Sequence, residues 1–287
     1  MQSLPLPPDP VIDVFRACVG IVRNTQLKAK FRSIENTIQS AVDEYQEAAT
    51  NSQLFAIATS ENVGGIITTD EMTKLYNERM VRTNTPGREY YDKIMGLPQH
   101  GRCPLCGYRL VSGLDHYLAK NQHPVFAVTP LNLVPSCSDC NKAKEHHYPV
   151  TQQDQTLHPY FDNIEQHFWL IAVVQEEVPV SLKYEVAADI PDLDNIMATR
   201  IRTHFEVLEL AKLYGAYSAG ELVAVGVDVR TIFPVEGLNG VRAHLERQAA
   251  KYSGVNQNSW QAVMYRSLSA SDWYCSGGFW LNPNALP

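Results

Sequence analysis

Four of the chain's six cysteines stand in two pairs of one pattern, CPLC at 103–106 and CSDC at 137–140, with 30 residues between the pairs. No other feature narrows the fold as far. A CxxC turn offers two thiols to one ion, and two such turns complete a set of four sulfur ligands. Only Cys18 and Cys275 lie outside the pattern. The start, MQSLPLPPDP, has neither the basic nor the apolar region of an export signal, and no apolar run reaches the roughly 18–20 residues of a membrane-spanning helix. The expectation is a cytoplasmic protein without membrane contact, with reduced thiols. Cys103, Cys106, Cys137 and Cys140 then read as ligands of a structural zinc ion rather than as disulfide partners. A plain zinc ribbon uses a shorter spacing, so something is built into the loop between the pairs.

The chain has 287 residues, and a prior of roughly 100–200 residues per domain allows one to three units. Residues 1–97 read as helical. Phe31, Ile34, Ile38, Val42 and Tyr45 recur at spacings of three and four, which is one apolar stripe on an amphipathic helix. Thr68 followed three residues later by Glu71 is a capping box, with Met72, Leu75, Tyr76 and Met80 on the buried face of the helix it opens. A Gly-Pro-containing break near residue 97 marks a module boundary, and residues 98–150 hold the cysteine pairs. The segment HYPVTQQDQTLHPYF then reads as a polar linker. Residues 151–287 mix strands at FWLIAVVQ and SLKYEVAA with helices at TRIRTHFEVLELAKLY, GVRAHLERQAAKY and SWQAVMYRSL. The expected fold class is α+β, mostly helical, with a small core stapled by the four cysteines. Trp169, Trp260, Trp273 and Trp280 read as core residues.

Charge separates these parts. The formal net charge is −7, and residues 151–200 hold nine acids against two bases. Residues 100–147 reverse the balance, with Arg102, Arg109, Lys120, Lys142 and Lys144 against Asp115, Asp139 and Glu145. Phosphate is best tolerated there. His100, His123, His146 and His147 read as surface histidines.

Between and beyond the cysteine pairs, GLDHYLAK and LNLVPSC read as two short strands. SDCNKAKEHH reads as a helix with Ser136 or Ser138 available as its cap. At about 100° per residue, Cys137 and Cys140 share one side of that helix and Asn141 is turned away from them. Asn141 falls in the first helical turn, where unpaired N–H groups favour anionic oxygens, and Lys144, one turn on, can approach the same phosphate.

The series CPLC…LDHYLAK…LNLVPSCSDCNKAK resembles the HNH endonuclease motif, a ββα-metal nuclease core, in its form with four zinc-binding cysteines. The resemblance covers about residues 100–147. It implies that His116 is the general base, that Asp115 and Asn141 hold a catalytic divalent metal, and that Asn132 fixes the loop. Many members carry His where Asn141 stands and Pro where Ala119 stands. Hydrolysis of a phosphodiester asks for these groups independently: an imidazole to accept a proton from water, and a hard cation on oxygen ligands to relieve charge on the phosphate. Asp115 and Asn141 suit Mg2+ or Mn2+ better than zinc. Lys120 and Lys144 are the candidate phosphate contacts.

The resemblance implies an endonuclease acting on DNA and leaving 5′-phosphate and 3′-hydroxyl ends, with RNA an open alternative. Chains of this build resemble bacterial nucleases of antiphage defence or mobile-element loci, some of which act beside a partner ATPase. The acidic net charge argues against tight unaided binding to DNA, so the flanking regions are expected to bind a protein partner or to restrain the nuclease. The competing expectation is a non-catalytic zinc module serving as a nucleic-acid or protein adaptor.

Overall fold

A computed structural model of the chain describes residues 1–145 and 147–281; His146 lies outside the described residues. The fold is α+β and mostly helical, and its described strands form three two-stranded antiparallel sheets. The chain divides into two compact units, Met1–Asn163 and the remainder from Ile164.

The first unit opens with α1 (Val11–Gly20), α2 (Thr25–Ser33) and α3 (Glu35–Thr50). The stripe from Phe31 to Tyr45 is buried as expected, but it runs over two helices. Ile34 closes α2 and opens α3 with φ −100° and ψ 5°. Its amide still donates to the Phe31 carbonyl, and its carbonyl still accepts from Ile38. The kink therefore loses little hydrogen bonding, and apolar periodicity runs straight through it. A two-residue strand pair, β1 (Asn62–Val63) and β2 (Ile67–Thr68), leads into α4 (Thr69–Leu75), and the capping box of Thr68 and Glu71 is present at its start. After Leu75 the helix widens into a π-helical turn, Tyr76–Val81. Then come α5 (Pro86–Met95), β3 (Gly113–His116), β4 (Leu133–Ser136) and α6 (Ser138–Lys144).

One core serves the elements from α1 to β4. Val14, Phe15 and Cys18 of α1 pack in the same cluster as Phe31, Ile38, Met72 and Met80, and Leu114, Ala127, Val128 and Leu133 of the cysteine-rich region join it. The break expected near residue 97 thus falls inside a single packed unit. Strands of four residues in an isolated pair bury too little surface to stand alone, so they borrow the helical core. The segment read as a polar linker also belongs to this unit. Gln155, Thr156, Leu157 and His158 are buried. The Tyr117 hydroxyl donates to the Thr156 carbonyl at 2.6 Å, the Tyr160 hydroxyl donates to the Leu133 carbonyl at 2.7 Å, and the Phe55 amide donates to Gln155 Oε1 at 3.0 Å. Polar composition suggested solvent, whereas these polar groups are used on the unit's own backbone and hydroxyls.

The second unit holds the expected hairpin, β5 (Leu170–Gln175) with β6 (Ser181–Val186), followed by α7 (Asn195–Val207), α8 (Leu210–Ser253, interrupted by a kink at Gly237, whose φ is 63°), α9 (Trp260–Ala270) and α10 (Asp272–Cys275). The helix expected across 199–214 is broken at Glu209, whose φ of 49° no helix continues. Asn258 Oδ1 accepts from the Trp169 and Leu170 amides and so ties the hairpin's entry to the start of α9. Trp169 and Trp260 are core residues, Trp273 is half-buried, and Trp280 is exposed with the Arg230 guanidinium 5.0 Å from its ring. Among the described residues no helix is long and apolar enough to cross a membrane.

Gly87 tests the packing of the first unit. A methyl group built there would lie 2.6 Å from the Cys18 sulfur of α1 and press on the Arg79 carbonyl of the π-helical turn. Overpacking of this kind costs about 1–3 kcal/mol. Gly87→Ala is expected to lower the unfolding free energy of Met1–Asn163 by that amount, read as a lower denaturant midpoint at unchanged slope.

Candidate functional site

The two cysteine pairs meet. All four sulfurs lie within 4.8 Å of one another and all four residues are buried. Sulfurs about 2.3 Å from a zinc at tetrahedral corners stand about 3.8 Å apart, so the cluster has the size and the donor set for such an ion. The first pair is presented by a tight knuckle: the Cys103 amide donates to the Arg109 carbonyl, the Gly107 amide donates to the Cys103 carbonyl, and Arg102 bridges to Leu110. Gly107 takes φ +69°, a conformation suited to glycine. The second pair sits at the start of α6. Neither expected serine caps this helix; Cys137 does, its sulfur accepting from the Cys140 amide at 3.4 Å. A thiolate does here what a serine hydroxyl does elsewhere, while Ser136 is wholly buried in β4. Hydrogen bonding with Cys103 holds the Cys106 thiol below the usual thiol range. Arg109 pairs with Asp139 at 3.0 Å, and its guanidinium is near enough to Cys137 and Cys106 for their charges to act on it.

β3 and β4 pair antiparallel with Asp115 opposite Val134 and His116 opposite Leu133, and α6 follows directly. The local order is strand, loop, strand, helix, as expected from sequence. The loop from 117 to 132 is closed by Asn132, which is completely buried. Its backbone carbonyl accepts from the Tyr117 amide at 2.8 Å and its side-chain Oδ1 accepts from the Leu118 amide at 2.7 Å. Its Nδ2 donates to the Leu118 carbonyl at 3.0 Å and to the Phe126 carbonyl at 3.4 Å. The side chain thus continues the β ladder for one more residue. Asn132 is a positioning residue, since every partner it has is loop backbone.

His116 Nε2 lies 2.9 Å from the Ala127 carbonyl oxygen. A carbonyl only accepts, so Nε2 carries the proton and Nδ1 holds the lone pair. The Tyr76 ring meets the imidazole edge-on, with centroids 4.5 Å apart, and the Tyr76 hydroxyl donates to the Leu114 carbonyl at 3.4 Å. Burial pushes the imidazole down to about 3, with the charge of Lys120 acting in the same direction. His116 is therefore neutral across the physiological range.

Asp115 points to different company. Its Oδ2 accepts from the Lys144 ammonium at 2.7 Å, and that ammonium also donates to the His116 carbonyl at 3.1 Å. Burial raises the Asp115 carboxyl, and Lys144 and Lys120 pull it back. Asn141 is exposed on α6 and lines the same cleft of about 1030 Å3 as Asp115, His116, Lys120, Lys142 and Lys144. Its amide donates to the Cys137 carbonyl, so the anion-binding N–H expected there is already occupied. Lys144 is likewise held by Asp115 rather than standing open to a phosphate. Lys120 lies over the Tyr76 ring at 5.6 Å. Of the four histidines expected on the surface, His123 is buried, and His147 bonds the Asp154 carbonyl at 2.6 Å.

Sequence reading missed Tyr76 and the Ala127 carbonyl. Tyr76 fell on the apolar stripe of α4 and looked like scaffold, and no sequence signal marks which carbonyl an imidazole will meet.

The chain is similar to protein ea31 of Escherichia phage lambda, with 25% identity over 299 aligned residues that cover 96% of this chain and all of that protein. No protein-family profile matches the chain, and no solved structure does.

Two measurements test this geometry. The purified protein is expected to carry one zinc per chain by elemental analysis, and Cys140→Ser or chelation is expected to lower its melting temperature together with its metal content. Asn132→Ala leaves the Leu118 amide and carbonyl buried without partners, at about 1–3 kcal/mol for each group. That variant is expected to lose stability on this scale while keeping its zinc.

Proposed function

We propose that the cleft of the first unit hydrolyses phosphodiester bonds in DNA as an HNH-type endonuclease dependent on a divalent metal. The observation that carries this reading is the pairing of a tautomer-fixed, neutral His116 with the carboxylate of Asp115 on adjacent strand residues, in one cleft with Asn141. The tetrathiolate frame and the strand, loop, strand, helix order are the support that the resemblance calls for.

Asp115 and Asn141 offer one carboxylate and one amide oxygen, a hard donor set that fits Mg2+ or Mn2+. A cation held there would acidify a water and relieve charge on the scissile phosphate and the leaving oxygen. His116 Nδ1 takes the proton of the attacking water. The Ala127 carbonyl and the Tyr76 ring keep the imidazole in the orientation that leaves Nδ1 available. Asn132 holds the loop that carries Ala127. Burial keeps the imidazole neutral, which leaves it ready to accept a proton from a water that a cation held by Asp115 and Asn141 would acidify. A protein partner, such as the ATPase that the resemblance suggests, belongs to the same reading because a net charge of −7 gives the chain little attraction for DNA.

The test is nicking of supercoiled plasmid by zinc-loaded protein with Mg2+ or Mn2+, wild type beside His116→Ala. General-base removal costs about 10²–10⁴ in rate, and a loss in that range is expected with zinc content unchanged. Equal nicking by both proteins overturns the assignment. Absence of nicking together with absence of Mn2+ binding favours the zinc adaptor instead.

A further inference from the structure

Lys144 is the last residue of α6 and reaches back to the end of β3. Its ammonium is enclosed by the Asp115 carboxylate at 2.7 Å, the His116 carbonyl at 3.1 Å and the face of the Tyr117 ring at 5.2 Å. The side chains of Lys144 and Asp115 are only 9% and 11% exposed. A carboxylate, a carbonyl and an aromatic face together make a seat for a cation, and the protein fills that seat with its own.

We propose that Lys144 couples metal binding to phosphate binding: it neutralises Asp115 in the resting protein and competes there with the divalent cation, and a substrate phosphodiester draws it away. The proposal rests on the reading of Asp115 as a cation ligand. A buried carboxylate and a buried ammonium each lose heavily if left alone, so neither can give up the other without a replacement. A cation alone frees Lys144 with nothing to hold it, and a phosphate alone strands Asp115. Together they satisfy both charges. Lysine suits the exchange, because its point charge rides on a flexible four-carbon stem. Lys144 also lines the cleft that holds Asn141 and Lys120, so its displaced ammonium stays beside the bound phosphate. Such coupling is reciprocal by linkage: phosphodiester must tighten the cation by the factor by which the cation tightens phosphodiester.

The experiment is equilibrium binding of Mn2+ to zinc-loaded, full-length protein, followed by electron paramagnetic resonance. Wild type is compared with Lys144→Gln, Lys144→Met, Lys144→Arg and Asp115→Asn, each with and without a thymidine dinucleoside monophosphate as the phosphodiester. Zinc content and melting temperature establish that each variant is folded, and Lys144→Met preserves the stem over Tyr117 should Lys144→Gln fail to fold. Lys144→Gln and Lys144→Met are expected to bind Mn2+ at least tenfold more tightly than wild type, and Lys144→Arg is not. The phosphodiester is expected to tighten Mn2+ severalfold in wild type and to have no such effect in the two neutral variants. Wild-type Mn2+ affinity in both neutral variants, with binding still abolished in Asp115→Asn, overturns the role of Lys144 and leaves the cation site standing. Absence of saturable Mn2+ binding in wild type and neutral variants alike overturns both.

Discussion

The meeting of four buried sulfurs is the constraint on which the first unit's cleft depends. β3 and β4 are four residues each and, among the described residues, pair only with one another, which is marginal as a free-standing hairpin. α6 is seven residues long, well below the length at which an isolated helix persists. Neither element has the local stability to hold a side chain within tenths of an ångström. The sulfurs tie the knuckle at 103–107 to the first turn of α6, and the borrowed helical core holds the strands from the other side. Cys137 contributes twice, as a donor in the cluster and as the cap of α6, so the residue that could bind the metal also fixes where the helix begins. The positions of Asn141 and Lys144 follow from that start, four and seven residues on.

Adjacent residues of β3 are sent to opposite surroundings, since successive side chains of a strand point to opposite faces. Asp115 faces α6 and finds Lys144, while His116 faces the loop and the π-helical turn and finds Ala127 and Tyr76. The same burial therefore has opposite consequences. It raises the carboxyl and lowers the imidazole, which in both cases favours the uncharged form, but only the carboxyl is given an opposite charge to oppose the shift. The π-helical turn is part of this division of labour. It places the Tyr76 ring beside the imidazole, steeply inclined to it at 72°, and Gly87 lets α5 close on the same turn. Tertiary packing stabilises that wider turn, and no local sequence preference announces it.

What was legible in the sequence shares one property: the signal and its physical cause lie within a few residues. The capping box at Thr68, the β5–β6 hairpin, the paired cysteines and the order of strands around Asp115 and His116 are of this kind. What was missed depends on partners far along the chain. The segment 147–161 is polar, yet its Thr156 carbonyl is taken by Tyr117 and its His158 by Tyr45. His123 is buried although the run before it, Lys120, Asn121 and Gln122, is polar. Lys144 is 29 residues from Asp115, and helical geometry alone sent it toward a phosphate. The break at Ile34 shows the complementary failure: periodicity reports which face is buried and is blind to a kink that leaves the face intact.

Net charge is a poor guide to this cleft, because it weighs every residue equally regardless of what each is paired with. The local excess of bases in 100–147 is two, and two of those bases are committed: Arg109 to Asp139 and the sulfur cluster, Lys144 to Asp115. In the resting state Lys120 and Lys142 carry the cleft's remaining positive charge toward a ligand. On the proposed reading Asp115 takes a cation of its own as a phosphate takes Lys144, and the field facing that phosphate gains both charges in one step. Attraction for substrate is then conditional on the metal rather than fixed in the surface. On that reading an acidic chain keeps a cleft for phosphate without carrying a basic patch that would hold every polyanion it meets.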